Sequence, residues 1–507
     1  GFGLPTVVNA NGSMADIESD CVWKLPDEFT DEELAEALSA LYRDPERRQA
    51  LGRCAQAAIR KNHDPTTCAR TYFEAIERFS KACRSNISSL VQLIAALDCG
   101  NPSGDCLLTV AQHIDRSVQP HLLQRQLLVD VSELVQRDAR SGIQRVVREI
   151  LQEWLTKPSP AYRIEPIYVV PNSIGYRYAR KFTLGFMGCP IDSLSDEPVT
   201  YRAGDKFVGL DLQPAVVTSH RAYYRAMRDA GVSVRFVVYD LLPIQLPQYF
   251  LEGAKLAHEK WLEVVTEQDG AICISKSVGE SLRAWVDNQN SEHSARLEID
   301  WFHLGANPTK SAGAAAGLHE GAHSMLTQIQ QRTSFLLVGT IEPRKGYEQV
   351  LDAFEHLWAD GVQVNLVLVG KQGWMVEVLV ERLRNHSEAG HRLFWLESTS
   401  DEYLERLYGA SACLIAASYG EGFGLPLIEA AQHSLPIIAR DLPVFREVAG
   451  EHAYYFNAAK AEDLAQAVSA WLALYREGNQ PPPDKLPWLT WMQSATQLRQ
   501  FVLGTVT

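Results

Sequence analysis

The chain has 507 residues, 46% of them hydrophobic and 22% charged, an ordinary globular balance with length for more than two domains. A net charge of −14 without any basic run excludes nucleic acid as a partner and disfavours an anionic lipid surface. Nine cysteines, an odd number with no Cys-x-x-Cys pair, read as reduced thiols of a cytoplasmic protein, and no apolar run reaches the roughly 18 residues of a membrane span.

Residues 1–83 read as the C-terminal part of a module that recurs later in the chain. Gly3-Leu4-Pro5-Thr6-Val7-Val8 parallels Ser434-Leu435-Pro436-Ile437-Ile438-Ala439, and Glu33-Leu34-Ala35-Glu36-Ala37-Leu38 parallels Asp463-Leu464-Ala465-Gln466-Ala467-Val468. Both copies then run through an amphipathic helix to a final aromatic-containing helix. An internal repeat of this kind implies tandem modules. The chain does not begin with Met, and Gly1 reads as a cut within a longer chain. Residues 84–124 lack steady periodicity and read as a linker, with a turn at Asn101-Pro102-Ser103-Gly104 and an apolar piece, Leu90 to Leu97, expected to pack on a domain.

From Gln126 strand and helix patterns alternate. Leu127 to Val131 is a buried strand; Ser141 caps a helix whose apolar residues fall at 143, 146, 147, 150, 151 and 154. Further strands are predicted at Arg163 to Val170, Lys206 to Leu210, Val234 to Tyr239, Ala271 to Ser275 and Ile299 to Leu304. A second set follows at Phe335 to Val338, Val364 to Val369, Arg392 to Leu396, Ala412 to Ala417 and Pro436 to Ala439. This alternation predicts an α/β fold of two Rossmann-like, doubly wound parallel-sheet domains facing a cleft, with ligands at the carboxyl ends of the strands. The first domain spans 125–310, a connection rich in Ala and Gly 311–332, the second domain 333–485, and a closing helix 486–507.

The cleft chemistry lies in two stretches. Ser418-Tyr419-Gly420-Glu421-Gly422-Phe423-Gly424-Leu425-Pro426-Leu427-Ile428-Glu429 leaves a buried strand through a glycine loop and opens a helix, whose unpaired N–H groups favour an anion such as a phosphate. Val338-Gly339-Thr340-Ile341-Glu342-Pro343-Arg344-Lys345-Gly346 is a second strand-to-loop turn carrying two adjacent cations. Phosphate cradle, cations and two carboxylates together describe a site for a sugar bound to a nucleotide diphosphate. Gly1 to Pro5 echoes Gly422 to Pro426, but that register places Val8 where Glu429 stands, so residues 1–83 carry no such site of their own.

Glu421 to Glu429 resembles the Glu-x7-Glu motif of retaining family-4 glycosyltransferases, and Glu-Pro-Arg-Lys-Gly resembles their diphosphate loop. The resemblance covers roughly residues 125 to 505 and implies the GT-B fold, with residues 1–83 a partial repeat of its C-terminal half. It assigns Arg344 and Lys345, with Gly339 and Thr340, to the donor diphosphate, Thr340 standing where many relatives have Arg. Glu429 is assigned to the ribose hydroxyls, Glu421 to the reacting carbon, and the N–H groups of Phe423, Gly424 and Leu425 to the donor. In the first domain, Ser141-Gly142-Ile143-Gln144-Arg145 resembles the glycine loop that approaches the donor phosphates, though a simple helix cap accounts for it equally. Tyr239 and Asp240 resemble a His-Asp segment lining the acceptor pocket, with Arg145 also on the acceptor side. The catalytic set implied is Glu421, Asp240, Lys345 and Arg344. His303 reads as a satisfied core histidine; Ser398, Ser400 and Tyr403 read as a loop facing the base.

Together with Asp130 to Leu134, these segments look most like bacterial O-antigen polymannose mannosyltransferases with tandem modules. That likeness implies a retaining transfer of a hexose, mannose from GDP-mannose first, onto a hydroxyl of a lipid-linked or growing glycan. No Asp-x-Asp motif is present, and neither cofactor nor metal is expected. The expected location is the cytoplasmic face of the inner membrane, with peripheral association through partner proteins. Another donor such as UDP-glucose, or a non-catalytic nucleotide-binding scaffold, remain the alternatives.

Overall fold

The computed structural model describes residues 2–96, 103–104, 106–107, 109–110, 113 and 124–504, apart from 139–140, 172, 290–296, 308–319 and 459; at 80–93 and 320–322 it describes the backbone alone. Most of the expected linker, with the Asn101-Pro102 turn, and 311–319 of the expected connection therefore lie outside the described residues, as do the side chains of 90–93 and all of Leu97. The chain divides into two compact units, Gly1–Val118 and Gln119–Thr507.

The first unit pairs β1 (Val7–Asn9) with β2 (Trp23–Leu25) in parallel, followed by helices α1 (Asp31–Arg43), α2 (Pro45–Asn62) and α3 (Pro65–Ala95). Helix α3 runs through position 84, where the sequence places the start of a linker. Thr30 caps α1 in a full capping box with Glu33.

In the second unit a seven-stranded sheet has the order β5-β4-β3-β6-β7-β8-β9. Its strands are β3 (Arg125–Asp130), β4 (Tyr162–Val169), β5 (Tyr176–Tyr178), β6 (Lys206–Gly209), β7 (Ser233–Val238), β8 (Gly270–Cys273) and β9 (Glu298–Trp301). Between β3 and β4 lies helix α4 (Gly142–Thr156), and between β8 and β9 helix α5 (Lys276–Asn288). The expected stripe on α4 is buried at Val146, Val147, Ile150, Leu151 and Trp154, each apolar side chain contributing about 1.5–3 kcal/mol. Ser141 and Gln144 close its N-terminus as a capping box. All pairings are parallel except β4 with β5, an antiparallel edge that the sequence pattern does not reveal.

After β10 (Gly305–Ala306) and α6 (Glu320–Gln330), a six-stranded all-parallel sheet has the order β13-β12-β11-β14-β15-β16. It comprises β11 (Thr333–Val338), β12 (Val364–Val369), β13 (Leu393–Leu396), β14 (Cys413–Ala416), β15 (Ile437–Arg440) and β16 (Tyr454–Phe456). Its helices include α7 (Tyr347–Ala359), α8 (Asp401–Ala410), α9 (Leu425–Gln432), α10 (Pro443–Ala449) and α11 (Ala461–Arg476). Numbered within the domain, this order is 3-2-1-4-5-6, whose switch point falls between β11 and β14 and makes the crevice where ligands bind. Both stretches singled out in the sequence begin at these two strand ends.

The chain then returns to the first domain. β17 (Leu489–Thr490) pairs with β10, and α12 (Trp491–Leu503) packs on α4, where the Trp154 indole donates to the Ala495 carbonyl at 2.9 Å.

The matched segments of the two units share local backbone geometry. Val7 pairs with Trp23 as Ile438 pairs with Tyr454, the same stagger in both copies. Gly3 and Ser434, at matching positions before the strand, both adopt left-handed backbone, φ +71° and +52°. Burial differs: Leu4, Leu38 and Tyr42 are exposed where their counterparts Leu435, Val468 and Leu472 are buried.

At the switch point of the first sheet, between β3 and β6, two buried aspartates meet. Asp130 accepts from the Tyr176 hydroxyl at 2.8 Å, and Asp211 accepts from Leu134 N–H at 2.7 Å and donates its own N–H to the Asp130 carbonyl at 3.1 Å. Burial pushes the Asp211 carboxyl up to about 7, against the Leu134 hydrogen bond and with help from Asp130. Its folded pKa lies above its unfolded one, so the folded state holds the extra proton and stability falls as pH rises through about 7. Urea melts should show about 1 kcal/mol lost between pH 6 and 8, and Asp211→Asn should flatten that slope.

Candidate functional site

The turn after β11 is a 3-10 helix, Pro343–Lys345, closed by Gly346 at φ +74°. A Cβ on Gly346 would stand 2.5 Å from the Ala417 carbonyl at the end of β14, so only glycine lets this turn seat on the neighbouring strand end. Tyr419 N–H donates to the Arg344 carbonyl at 2.8 Å, joining the two loops through their backbones.

Both cations turn to Glu421. Lys345 Nζ donates to Glu421 Oε1, Arg344 Nη1 lies 3.3 Å from Oε2, and the Ser418 hydroxyl donates at 2.6 Å. Arg344 also pairs with Glu342 at 2.9 Å. The four side chains are 9–17% exposed, so these charges act in a low-dielectric pocket. Burial drives the Glu421 carboxyl up, but Lys345 and Arg344 beside it and the bonds from Lys345 and Ser418 outweigh that and hold it at about 2. Burial opposes the charge on Arg344, whereas Glu421, Glu342 and Asp240 raise its pKa. Asp240, from the end of β7, thus joins the electrostatics of this cluster across the cleft; its own Oδ1 accepts from Leu242 N–H at 3.1 Å.

Beyond Glu421 the chain enters α9. Within the described residues, the N–H groups of Phe423, Gly424 and Leu425 make no intrachain backbone hydrogen bond, leaving a helix start able to take an anion. Glu429, one turn inside, accepts from the Tyr408 hydroxyl of α8 at 2.7 Å and from Arg145 of α4. Arg145, expected on the acceptor side, therefore reaches the carboxylate assigned to the ribose. Gly142 is exposed at the start of the same helix, and a Cβ there would meet no described atom within 4 Å. Gly339 lies beside the cluster, its Cβ direction 3.9 Å from Lys345 Nζ, and Thr340 is partly exposed next to it.

Three expectations need correction. Tyr239 is 2% exposed and its hydroxyl donates to the Leu210 carbonyl, so its ring belongs to the core and its side chain has no face for an acceptor. His303 is not a core residue: it is half-buried and its Nε2 meets Glu447 of the second domain at 2.7 Å. Ser400 caps α8 through Tyr403 N–H, and Tyr403 is buried, so the Tyr403 ring has no face for a base. The Phe423 ring is buried edge-on to His303.

Several participants carried no signal in the sequence. Glu447 accepts from Lys276 and Ser277 N–H at the start of α5, at 2.7 and 2.8 Å, tying the second domain to a first-domain helix. Ser275 donates to the Gly422 carbonyl at 2.8 Å. Tyr408 is one residue on an amphipathic helix, with no local pattern to mark it. Glu342 and Ser418 sit inside the quoted motifs, and only the fold shows that they face Arg344 and Glu421.

A cation pair and two carboxylates thus stand at the switch point of one Rossmann-like domain, facing a second such domain. Residues 326–480 match the family described as Glycosyl transferases group 1. It is 44% identical over 374 residues to the serotype-specific mannosyltransferase WbdA of Escherichia coli, covering 73% of this chain and 44% of that one. It is 30% identical over 129 residues to the O-antigen chain mannosyltransferase RfbU of Salmonella typhimurium, covering 25% of this chain and 35% of that one. The chain thus spans less than half the length of these relatives.

Among solved structures, the fold matches sucrose-phosphate synthase from Thermosynechococcus elongatus with a TM-score of 0.53 at 17% identity, over 74% of this chain and 98% of that one. It also matches Anabaena HepE in complex with UDP and glucose with a TM-score of 0.52 at 12% identity, over 75% of this chain and all of that one. The fold is GT-B.

Proposed function

We propose that residues 125–505 transfer mannose, with retention, from GDP-mannose to a hydroxyl of a growing O-antigen type α-mannan. The observation that carries this reading is the Lys345–Glu421–Arg344 cluster beside the open N–H groups of α9. A nucleotide diphosphate gains charge as its glycosidic bond breaks, and fixed cations aimed at that charge stabilise the transition state without reorganising. Lys345 and Arg344 take that role, Glu429 the ribose hydroxyls, and Gly339, Thr340, Phe423, Gly424 and Leu425 the remaining donor contacts. Glu421, ionised throughout the physiological range, orients the cations and faces the sugar. Asp240 orients the acceptor hydroxyl, whose proton passes to the departing diphosphate, so the protein positions rather than supplies an acid–base pair. No metal or cofactor is required in this scheme.

The likeness to WbdA and RfbU supports mannose, and the UDP and glucose bound by HepE support a nucleotide-sugar donor. We read residues 1–83 as the C-terminal part of a preceding module, 84–124 as a linker and 311–332 as the interdomain connection. Among the described residues no helix is long and apolar enough to cross a membrane; work on a lipid-linked glycan at the inner membrane face would run through partner proteins.

The test is mass spectrometry of an α-mannoside acceptor incubated with EDTA and, separately, GDP-mannose, UDP-glucose and UDP-N-acetylglucosamine. A gain of one hexose from GDP-mannose alone is expected. Gain from another donor would replace the substrate, and nucleotide binding without any transfer would establish a scaffold.

A further inference from the structure

Beside the Pro343–Gly346 turn lies a cavity of about 450 Å³. That volume falls in the range of roughly 300–1,000 Å³ common to small-molecule sites. Both domains build it. Tyr249 of the first stacks on Tyr419 of the second, ring centroids 5.1 Å apart and planes 11° from parallel. The Trp374 indole donates to the Tyr249 carbonyl at 3.0 Å, and its ring lies 5.9 Å from Phe250. Glu348 and Glu377 are exposed in the lining, and Gln349 is buried there with its Oε1 held by Tyr419 and Arg440. Met375, at φ +54°, and Val378, 83% exposed, form an apolar rim.

Among the described residues no lysine or arginine lines this cavity, so a phosphate or nucleotide is repelled from it. Its carboxylates do not converge: among the described residues the one group spaced to hold a metal is Asp20, Cys21 and Cys54. Aromatic surface beside carboxylate acceptors instead suits a neutral, hydroxyl-rich ligand, whose C–H faces lie on rings and whose hydroxyls donate. We propose that this cavity is a subsite for the acceptor's oligosaccharide, holding sugar residues away from the one that reacts. The proposal rests on the glycan-transfer reading above, and it makes Tyr249 and Glu377 determinants of acceptor length.

The experiment compares methyl α-mannoside with α-mannotetraose as acceptors for the full chain and for Tyr249→Ala, Glu377→Gln and Val378→Trp. Binding of the tetraose is followed in parallel by calorimetry without donor. Loss of a stacking face is expected to raise KM for the tetraose about ten-fold, leaving KM for methyl α-mannoside and for the donor unchanged, and to weaken tetraose binding alike. Val378→Trp fills the rim from an exposed position and keeps the test valid if Tyr249→Ala is unstable. Unchanged tetraose affinity in all three variants, with transfer intact, overturns the subsite and leaves the transfer reading standing. Tetraose binding that Val378→Trp weakens, in a protein that transfers no sugar, upholds the subsite and overturns the transfer reading.

Discussion

Lys345→Ala is expected to lower kcat/KM for sugar transfer by about 10²–10³, the usual loss for one preorganised donor aimed at developing charge. Lys345 is a strong candidate because its surroundings hold it ready: Nζ sits on Glu421, the Gly339 turn lies beneath it, and 17% of the side chain is exposed. The same change removes a partner from a largely buried carboxylate, which costs roughly 3–5 kcal/mol where nothing replaces it. Arg344 and Ser418 remain on Glu421, so the loss should fall below that range. Activity and stability can therefore be separated. Adding Glu421→Gln to Lys345→Ala removes the uncompensated charge and should restore the melting temperature without restoring turnover. Near-normal kcat/KM in Lys345→Ala would sink the diphosphate assignment.

Gly422→Ala should have an effect of similar size for a different reason. A Cβ at this position would stand 2.1 Å from the Tyr239 carbonyl and 3.2 Å from Ile274 Cδ1, both on the first domain. Gly422 is not among the residues with left-handed backbone, so alanine suits the second domain taken alone. The methyl group acts only as a wedge between the domains, breaking the Ser275 hydrogen bond to the Gly422 carbonyl. A displacement of about 1 Å at a reacting centre costs on the order of 10²-fold in rate. We expect kcat to fall by that factor while nucleotide affinity, measured by calorimetry, changes little, because the cation pair and Glu429 belong to the second domain. Wild-type turnover in Gly422→Ala would show that this contact does not govern the reaction.

Both sheets, apart from their edge strands β5 and β16, and the second-domain half of the proposed site are legible in the amino-acid sequence. The strands are contiguous apolar runs, so their hydrophobic pattern is local. Arg344 with Lys345, and Glu421 with Glu429, each lie within one strand-to-helix turn, where spacing along the chain already sets spacing in space. What crosses the cleft follows from the packing of the two domains instead. Arg145 meets Glu429, Glu447 meets His303 and the start of α5, and Tyr249 stacks on Tyr419, pairs separated by more than a hundred residues whose encounter no local pattern encodes. Burial at the cleft is settled by the same packing. Tyr239 and Asp240 are neighbours at one strand end, and β alternation sends the first ring into the core while the second carboxylate remains partly exposed near Arg344.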